Sequence, residues 1–97
     1  MTGDPLRQPV IDALSGIIDP ETGHDLVAMG LIRSVEIEGA RARVTMTTTI
    51  RGCPMAEMLR LGAEAAVASV PGITDAEVTL EWEPPWTPDR IGGGVWA

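Results

Sequence analysis

The order of hydrophobic patterns constrains the fold of this chain more than any other feature, because a strand pattern, a helix pattern and a second strand pattern follow one another from residue 42 to residue 82. "ARVTMTTTI" alternates, "PMAEMLRLGAEAAVASV" repeats apolar residues at helical spacing, and "ITDAEVTLEW" alternates again. A strand–helix–strand unit predicts two parallel strands joined by a right-handed crossover. Helices would then cover one face of the sheet.

Two further elements precede this unit. Apolar residues recur at helical spacing from Pro9, and Pro20 should end that helix by Ile18. The next alternating segment leads through a short glycine turn into the first strand of the unit, which predicts an antiparallel hairpin. Its residues on one parity are Leu31, Arg33, Val35 and Ile37. The order α-β-β-α-β predicts a two-layer α+β domain with a small mixed three-stranded sheet and two helices.

The length of the chain fits a single domain. Its 97 residues are close to the size of a typical domain, so we expect one domain over residues 1–97. From about residue 83 the composition becomes rich in proline and then in glycine. We expect this C-terminal tail to pack only in part, with Trp86 as its best anchor.

Charge and cysteine usage exclude several classes of partner and compartment. The formal net charge is −7, and no basic cluster offsets it, so nucleic acid and anionic membranes are not expected partners. No apolar run approaches the length of a membrane span, and "MTGDPLRQPV" has no signal-peptide pattern. A single cysteine rules out an intrachain disulfide framework. We therefore expect a cytoplasmic protein.

The single cysteine lies where the threonine-rich strand turns into the second helix, in the sequence Gly52-Cys53-Pro54. If Pro54 is the first helical residue, Cys53 is the N-cap and the positive end of the helix dipole favours its thiolate form. Gly52 allows a sharp turn and leaves the sulfur uncrowded. The alternative is a buried cysteine that only fills space, as free cysteines often do.

A reactive thiolate has two chemical uses, and the sequence leaves both open. A nucleophile needs a base, and His24 is the only histidine, although a lone histidine in a polar loop is commonly just solvated. A metal site needs more ligands than one thiolate. The loop after the first helix offers ligands or simply a solvated turn: Asp19, Glu21, His24 and Asp25. A second copy of the chain or a partner protein could complete a labile, shared site.

Six short motifs occur in an order that resembles one known family. "DPETG", "DLVAMGLI", "VTMTTT", "GCP", "VPGI" and "EPPWTP", spread from about residue 10 to residue 90, are similar to the SufT/PaaD-like family of iron–sulfur cluster assembly factors. The resemblance implies an α+β fold, commonly in a homodimer, and a role in maturing or delivering clusters to recipient proteins. It also implies that Cys53 is the functional cysteine, and that Asp19 and Glu21 are the functional acids.

The resemblance further matches the end of the threonine-rich strand to Thr48 and Thr49. These hydroxyls would lie near the sulfur, with Thr48 on the core-facing parity and Thr49 more exposed. PaaD-like members that act in phenylacetate-oxygenase maturation often carry a further cysteine-bearing C-terminal segment. Here "RIGGGVWA" stands in that place, which favours a stand-alone assembly factor.

Three hypotheses follow from the sequence. In the first, the chain is a non-enzymatic factor that transiently binds iron or an iron–sulfur cluster, or carries a persulfide, through Cys53 with Asp19 and Glu21. Thr48, Thr49, Gly52 and His24 would support this site, and the partners would be scaffold or recipient proteins. In the second, the chain is a metal-free adaptor that docks cluster enzymes through surfaces that include Trp86. The third, less favoured, is a thiol enzyme that uses Cys53 and His24.

Overall fold

The computed structural model describes residues 5–20, 22–49 and 52–96. Its elements, in chain order, are α1 (Arg7–Leu14), β1 (Ile32–Glu38), β2 (Arg41–Met46), α2 (Ala56–Ala68), β3 (Asp75–Leu80) and a short 3-10 helix (Pro88–Arg90). The predicted α+β fold with the order α-β-β-α-β is confirmed.

The three strands form one mixed sheet in the order β1-β2-β3. β1 and β2 are antiparallel across the Gly39 turn, whereas β2 and β3 are parallel, with Val44 opposite Val78. The hairpin and the parallel crossover predicted from the sequence are therefore both present. β2 is the central strand, so the segments that follow its C-terminal end, including Cys53, emerge from the middle of the sheet.

The core lies between α1 and α2 and one face of the sheet. The alternation of β2 decides which face is covered, since Ala42, Val44 and Met46 are buried while Arg41 and Arg43 are exposed. The core also includes residues of both helices and of the segment before β1: Val10, Leu14, Leu26, Leu31, Leu59, Ala63 and Val67. Aliphatic side chains provide it, because the chain has no Phe or Tyr.

The first helix is shorter than the sequence indicated. α1 begins at Arg7, so Pro9 does lie in its first turn, but it ends at Leu14 and not near Ile18. After Leu14 the backbone changes to i→i+3 bonds, from the Gly16 N–H to the Ala13 carbonyl and from the Ile17 N–H to the Leu14 carbonyl. The chain therefore leaves the helix well before Pro20 could stop it.

Arg33 does not face the core, although Leu31 and Val35, on the same parity of the sequence, are buried. The register between β1 and β2 shifts between Ile32 and Ser34, as in a β-bulge. The extra residue lets Leu31 and Ile32 both be buried and turns Arg33 outward. Its guanidinium donates to the carbonyls of Pro84 and Glu83, at 2.8 Å and 2.9 Å.

The C-terminal tail lies across the segment that leads into β1. The Trp86 and Trp96 indole N–H groups donate to the Met29 and Gly30 carbonyls, at 2.8 Å and 2.7 Å. The Trp96 backbone N–H also donates to the Ile32 carbonyl. The guanidinium of Arg90 stacks over the Trp96 ring, 3.8 Å from its centroid. Several directional contacts thus hold the tail, and Trp86, the anchor expected from the sequence, makes one of them.

Two side chains of α2 cover part of the outer edge of β3. Glu64 Oε2 accepts from the Val78 N–H at 3.1 Å, and the Arg60 guanidinium donates to the Val78 carbonyl at 3.2 Å. Arg60 also pairs with Glu57, which lowers the pKa of the Glu57 carboxyl through their hydrogen bond. The backbone groups of an edge strand invite pairing with another chain, so these contacts protect the edge as well as stabilise it.

We expect Glu64→Ala to lower the free energy of unfolding by about 1–2 kcal/mol, because the Val78 N–H loses its acceptor. Urea denaturation measures the loss, and hydrogen exchange of the Val78 amide should become faster. Glu57→Ala is the matched control, since Glu57 pairs with the same Arg60 but is exposed. Equal exchange rates for Val78 in the two variants would contradict this role for Glu64.

Candidate functional site

Asp19 is held in a closed loop between α1 and β1. Its N–H donates to the His24 carbonyl at 2.9 Å, and its own carbonyl accepts from the Gly23 N–H at 2.8 Å. Gly23 has a positive φ of 76°, which allows the tight return of the chain. Asp19 is only 5% exposed, whereas Pro20 and His24 are exposed. The loop therefore presents the two predicted site residues differently: the carboxylate inward and the imidazole toward solvent.

The acidic loop contains two further candidate ligands, Asp25 and Glu21. The Asp25 side chain accepts a hydrogen bond from the Ala28 N–H at 2.8 Å, so this carboxylate caps the turn before β1. Asp25 thus has a structural role, which matches the simpler of the two readings of the loop. Glu21, predicted as a functional acid, lies outside the described residues.

Cys53 lies between β2 and α2 and is partly exposed, so it is not a fully buried core residue. Gly52 has a positive φ of 82°, and among the described residues no atom lies within 4 Å of the position that a Cβ would take there, as expected for a sharp turn before the cysteine. The prediction that Cys53 is the N-cap is wrong. α2 begins at Ala56 with Met55 as its N-cap, and the Ala56 N–H bonds to the Cys53 backbone carbonyl at 3.1 Å.

The reason for this difference is an extra turn before the helix. The bond from the Ala56 N–H to the Cys53 carbonyl closes an i→i+3 turn whose central residues are Pro54 and Met55. The helix therefore starts two residues later than the proline pattern indicated. The sulfur stands outside the first helical turn. Its availability rests on exposure at the strand-to-helix connection and not on a capping bond.

The threonines after β2 are buried more deeply than an alternating strand allows. Thr47 is 0% and Thr48 is 3% exposed, while Thr49 is intermediate. Two neighbouring buried residues mean that the alternation ends with β2 at Met46. The Thr47 N–H bonds to the Leu31 carbonyl at 2.8 Å, which ties this segment to the start of β1. The predicted order of burial, Thr48 inside and Thr49 nearer the surface, is confirmed.

Trp82 is a residue of this region that sequence reasoning missed. Its indole N–H donates to Thr48 Oγ1 at 2.8 Å and fixes the orientation of that hydroxyl. The signal for this contact was present in the register of the parallel strands. Met46 lies opposite Leu80, so continuing the same offset by two residues places Thr48 opposite Trp82.

A small pocket brings three of the predicted residues together. It has a volume of about 100 Å³, and its walls are formed by Thr48, Thr49, Trp82, Glu83, Pro85 and Trp86. The Trp86 ring packs against the core and its N–H is bonded to Met29, so the described contacts of Trp86 are internal ones. Its predicted role in partner binding stays a prediction.

The metal-binding groups do not converge. Within residues 5–20, 22–49 and 52–96, no group of three or more His, Cys, Asp or Glu residues is arranged to hold a metal ion. Cys53, Asp19 and His24 therefore do not make up a closed site among these residues. One partly exposed thiol can supply one bond to a soft metal or receive one sulfur atom, and the remaining ligands of a metal must come from elsewhere.

A larger depression, of about 450 Å³, opens on the uncovered face of the sheet. Its lining is polar and includes the two arginines that contact the Trp96 ring: Arg33, Ser34, Thr45, Glu81, Arg90 and Trp96. Arg33 already donates to two backbone carbonyls. The depression thus follows from the way the tail crosses the sheet.

In the part of the chain described here, no helix is long and apolar enough to cross a lipid bilayer.

Comparison with known proteins places this chain in a family. Residues 7–80 match the family model described as "Iron-sulfur cluster assembly protein". The Fe-S protein maturation auxiliary factor YitW of Bacillus subtilis is 38% identical over 89% of this chain and 85% of its own length. The corresponding factor SufT of Staphylococcus aureus is 40% identical over 77% of this chain and 86% of its own.

Two solved structures are similar to this chain in fold and in sequence. A domain of unknown function from Bacillus anthracis superposes with a TM-score of 0.82 and 35% identity, covering 89% of this chain and 83% of that one. A Mycobacterium tuberculosis protein, described as associated with [Fe-S] complex assembly and repair, has a TM-score of 0.58 and 28% identity over 93% and 82% of the two chains. The chain belongs to the iron–sulfur cluster assembly protein family.

Proposed function

We propose that this chain is an accessory factor that assembles iron–sulfur clusters or transfers them to recipient proteins, and that the Cys53 thiolate is its contact with the cargo. The observation that carries the proposal is a single, partly exposed cysteine in the connection between the central strand and α2, in a chain of this family. Iron, a cluster or a persulfide would be the cargo, held transiently.

The open coordination of Cys53 supports transfer over storage. A closed four-ligand site retains its metal, whereas one thiolate holds a cluster only as long as other ligands share it. We propose that a scaffold or recipient protein supplies those ligands, and that Asp19 and Glu21 contribute charge or ligation at the same place. Named relatives support this direction, since a 33% identical Deinococcus radiodurans protein is called an iron–sulfur cluster carrier protein, although the aligned part is only 21% of its length.

The Thr48 hydroxyl would support the cargo side of this site. Its orientation is fixed by the Trp82 indole, and it lines the small pocket with Thr49. A hydroxyl held in one orientation offers a preorganised hydrogen bond to a sulfide or thiolate sulfur. Gly52, in the connection before Cys53, and His24, in the Asp19 loop, would have supporting roles at this site.

The proposal also covers the oligomeric state, the cellular compartment and the absence of small-molecule turnover. We propose a homodimer in the cytoplasm that does not turn over a small-molecule substrate. A free thiol is suited to a reducing compartment, and the relatives are named as maturation factors, not as catalysts. The stand-alone, SufT-like role is preferred to a PaaD-like role in oxygenase maturation.

Anaerobic reconstitution with iron and sulfide tests the role of Cys53. We expect the wild-type chain to gain a visible chromophore and Cys53→Ser to lose it, because oxygen is a much poorer ligand than thiolate for iron–sulfur clusters. The matched control is Cys53→Ser combined with Thr79→Cys, which moves the only thiol to an exposed position on β3. A chromophore of equal strength in the control would contradict a specific site at Cys53.

The same samples separate the alternatives. A wild-type chain that gains no chromophore yet still binds a cluster recipient in a pull-down would favour the metal-free adaptor, with Trp86 on its docking surface. A thiol enzyme requires His24 to activate Cys53. Unchanged alkylation of Cys53 by iodoacetamide after His24→Ala would eliminate that enzyme.

A further inference from the structure

Two arginines without a carboxylate partner lie beside the same aromatic ring. Arginines elsewhere in the sheet and in α2 form ion pairs with acidic residues: Arg41, Arg43 and Arg60. Within the described parts of the chain, Arg33 and Arg90 have no carboxylate at ion-pair distance. Their guanidinium groups lie 4.4 Å and 3.8 Å from the centroid of the Trp96 ring. In a chain of net charge −7, this pair of cations creates a local positive site.

The two guanidinium groups are held in place and still have hydrogen-bond donors to offer. Each carries five N–H groups, of which Arg33 uses two on backbone carbonyls. The Arg90 guanidinium has no hydrogen-bond acceptor among the described residues, and its stacking on Trp96 restrains it. Trp96 is itself fixed, because its indole N–H donates to the Gly30 carbonyl. A ligand would therefore meet donors that are already ordered, which lowers the entropic cost of binding.

Two hydroxyl groups stand next to these donors on the uncovered face of the sheet. Ser34 and Thr45 are opposite each other in the register of β1 and β2, and both are partly exposed. Neither hydroxyl has a hydrogen-bond partner in residues 5–20, 22–49 and 52–96. They line the same depression of about 450 Å³ as the two arginines and Trp96. This volume falls within the range of small-molecule sites, about 300–1,000 Å³.

The charge balance of the depression limits the class of ligand. Glu81, which is exposed, is the acidic residue of its lining, so two guanidinium groups and one carboxylate leave one net positive charge. An anion with a single negative charge neutralises this site. A zwitterionic amino acid carries no net charge to neutralise it, and a phosphate dianion brings a second negative charge close to Glu81. A ligand with one carboxylate and a separate donor for Glu81 satisfies both the charge and the hydrogen bonds.

We propose that this depression binds a small hydroxycarboxylate. Its carboxylate accepts two parallel N–H bonds from Arg90, in the geometry that guanidinium groups prefer. The Ser34 and Thr45 hydroxyls donate to the ligand oxygens, and a ligand hydroxyl donates to the Glu81 carboxylate. Arg33 adds charge and its remaining N–H donors. Cys53 takes no part in this site, so the proposal stands or falls independently of the cargo role proposed above.

An NMR titration of the full chain with glycerate tests the binding. We expect saturable shifts of the Trp96 indole N–H and the Arg90 Nε–H signals in the millimolar range, because so small a ligand makes few contacts. Propionate is the matched ligand, since it has the same three carbons and one carboxylate but no hydroxyl. It should bind roughly threefold to tenfold more weakly, which is the effect of about one hydrogen bond. Equal shifts with sodium chloride at the same ionic strength would overturn the proposal.

Two variants assign the contacts. Arg90→Gln should weaken glycerate binding about tenfold or more, because the charged fork is lost. Arg43→Gln is the matched control, since it removes the same charge from the same face of the sheet outside the depression, and it should bind glycerate as wild type does. Equal affinities in these two variants would contradict a site at Arg90.

Glu81→Ala tests the donor side of the ligand at an exposed position, where folding is not at risk. Without the carboxylate, glycerate and propionate should bind equally well. A preference for glycerate that persists in Glu81→Ala would overturn the proposed contact. Inorganic phosphate is the competing anion in the wild-type chain. If it displaces glycerate at a lower concentration than glycerate itself needs to bind, the assignment of a hydroxycarboxylate is wrong.

Discussion

Replacing Gly30 with alanine is expected to lower the free energy of unfolding by about 2–4 kcal/mol, one of the two largest effects predicted for a single substitution in this chain. Gly30 has a positive φ of 72°, and a Cβ there would overlap the Arg90 carbonyl oxygen. The obstructing atom belongs to backbone, so a rotamer change cannot relieve the overlap. Either the tail moves away or the segment before β1 distorts.

Urea denaturation measures the loss, and the NMR signal of the Trp96 indole N–H reports on the tail. That group donates to the Gly30 carbonyl at 2.7 Å, so its signal should shift and its exchange with solvent should accelerate. Gly39→Ala is the matched control. Gly39 has a positive φ of 59° but nothing near the position of a Cβ, so it should lose only the conformational part, about 1–2 kcal/mol. Equal losses in both variants would mean that the contact with Arg90 does not matter.

Truncating Leu26 to alanine is the second substitution with a large expected effect. Leu26 is 0% exposed and lies in the segment between the Asp19 loop and β1. Removing a buried leucine side chain costs about 2–5 kcal/mol, from lost burial and from the cavity that remains. The Leu26 N–H also bonds to the Ile17 carbonyl at 3.0 Å, on the other side of the Asp19 loop. The loop should therefore loosen together with the core.

Leu61→Ala is the control for this prediction, because it makes the same chemical change at a position that is 51% exposed. It should change the free energy of unfolding by less than about 0.5 kcal/mol. Hydrogen exchange of the Asp19 amide should become faster in Leu26→Ala and stay unchanged in Leu61→Ala. The opposite ranking would show that Leu26 is not part of the core that supports the loop.

The sequence was sufficient for the architecture because its patterns are local. Alternation in β2 and β3 and the helical spacing of α2 each depend on neighbours a few residues away, and the crossover rule then decides the parallel pairing. The same local rules failed where the backbone departs from regular geometry. The bulge after Ile32 turned Arg33 outward, and the extra turn at Pro54 moved the start of α2 past Cys53.

The candidate site shows the same division. The "GCP" motif identified Cys53, and its partial exposure in the connection between β2 and α2 agrees with that choice. Trp82 escaped notice because its contact with Thr48 spans 34 residues and depends on the register of two parallel strands. Register is set by packing across the whole sheet, which no single segment contains.

By itself, the sequence determined the order of the elements, the mixed sheet, the aliphatic core and the presence of one thiol that cannot complete a metal site alone. Only the tertiary structure decided the burial of Asp19, the support of Thr48 by Trp82 and the close contact of Gly30 with Arg90. The physical reason is the range of the interactions. Propensity and periodicity act within a few residues, whereas burial and hydrogen-bond partners depend on segments that meet only when the chain has folded.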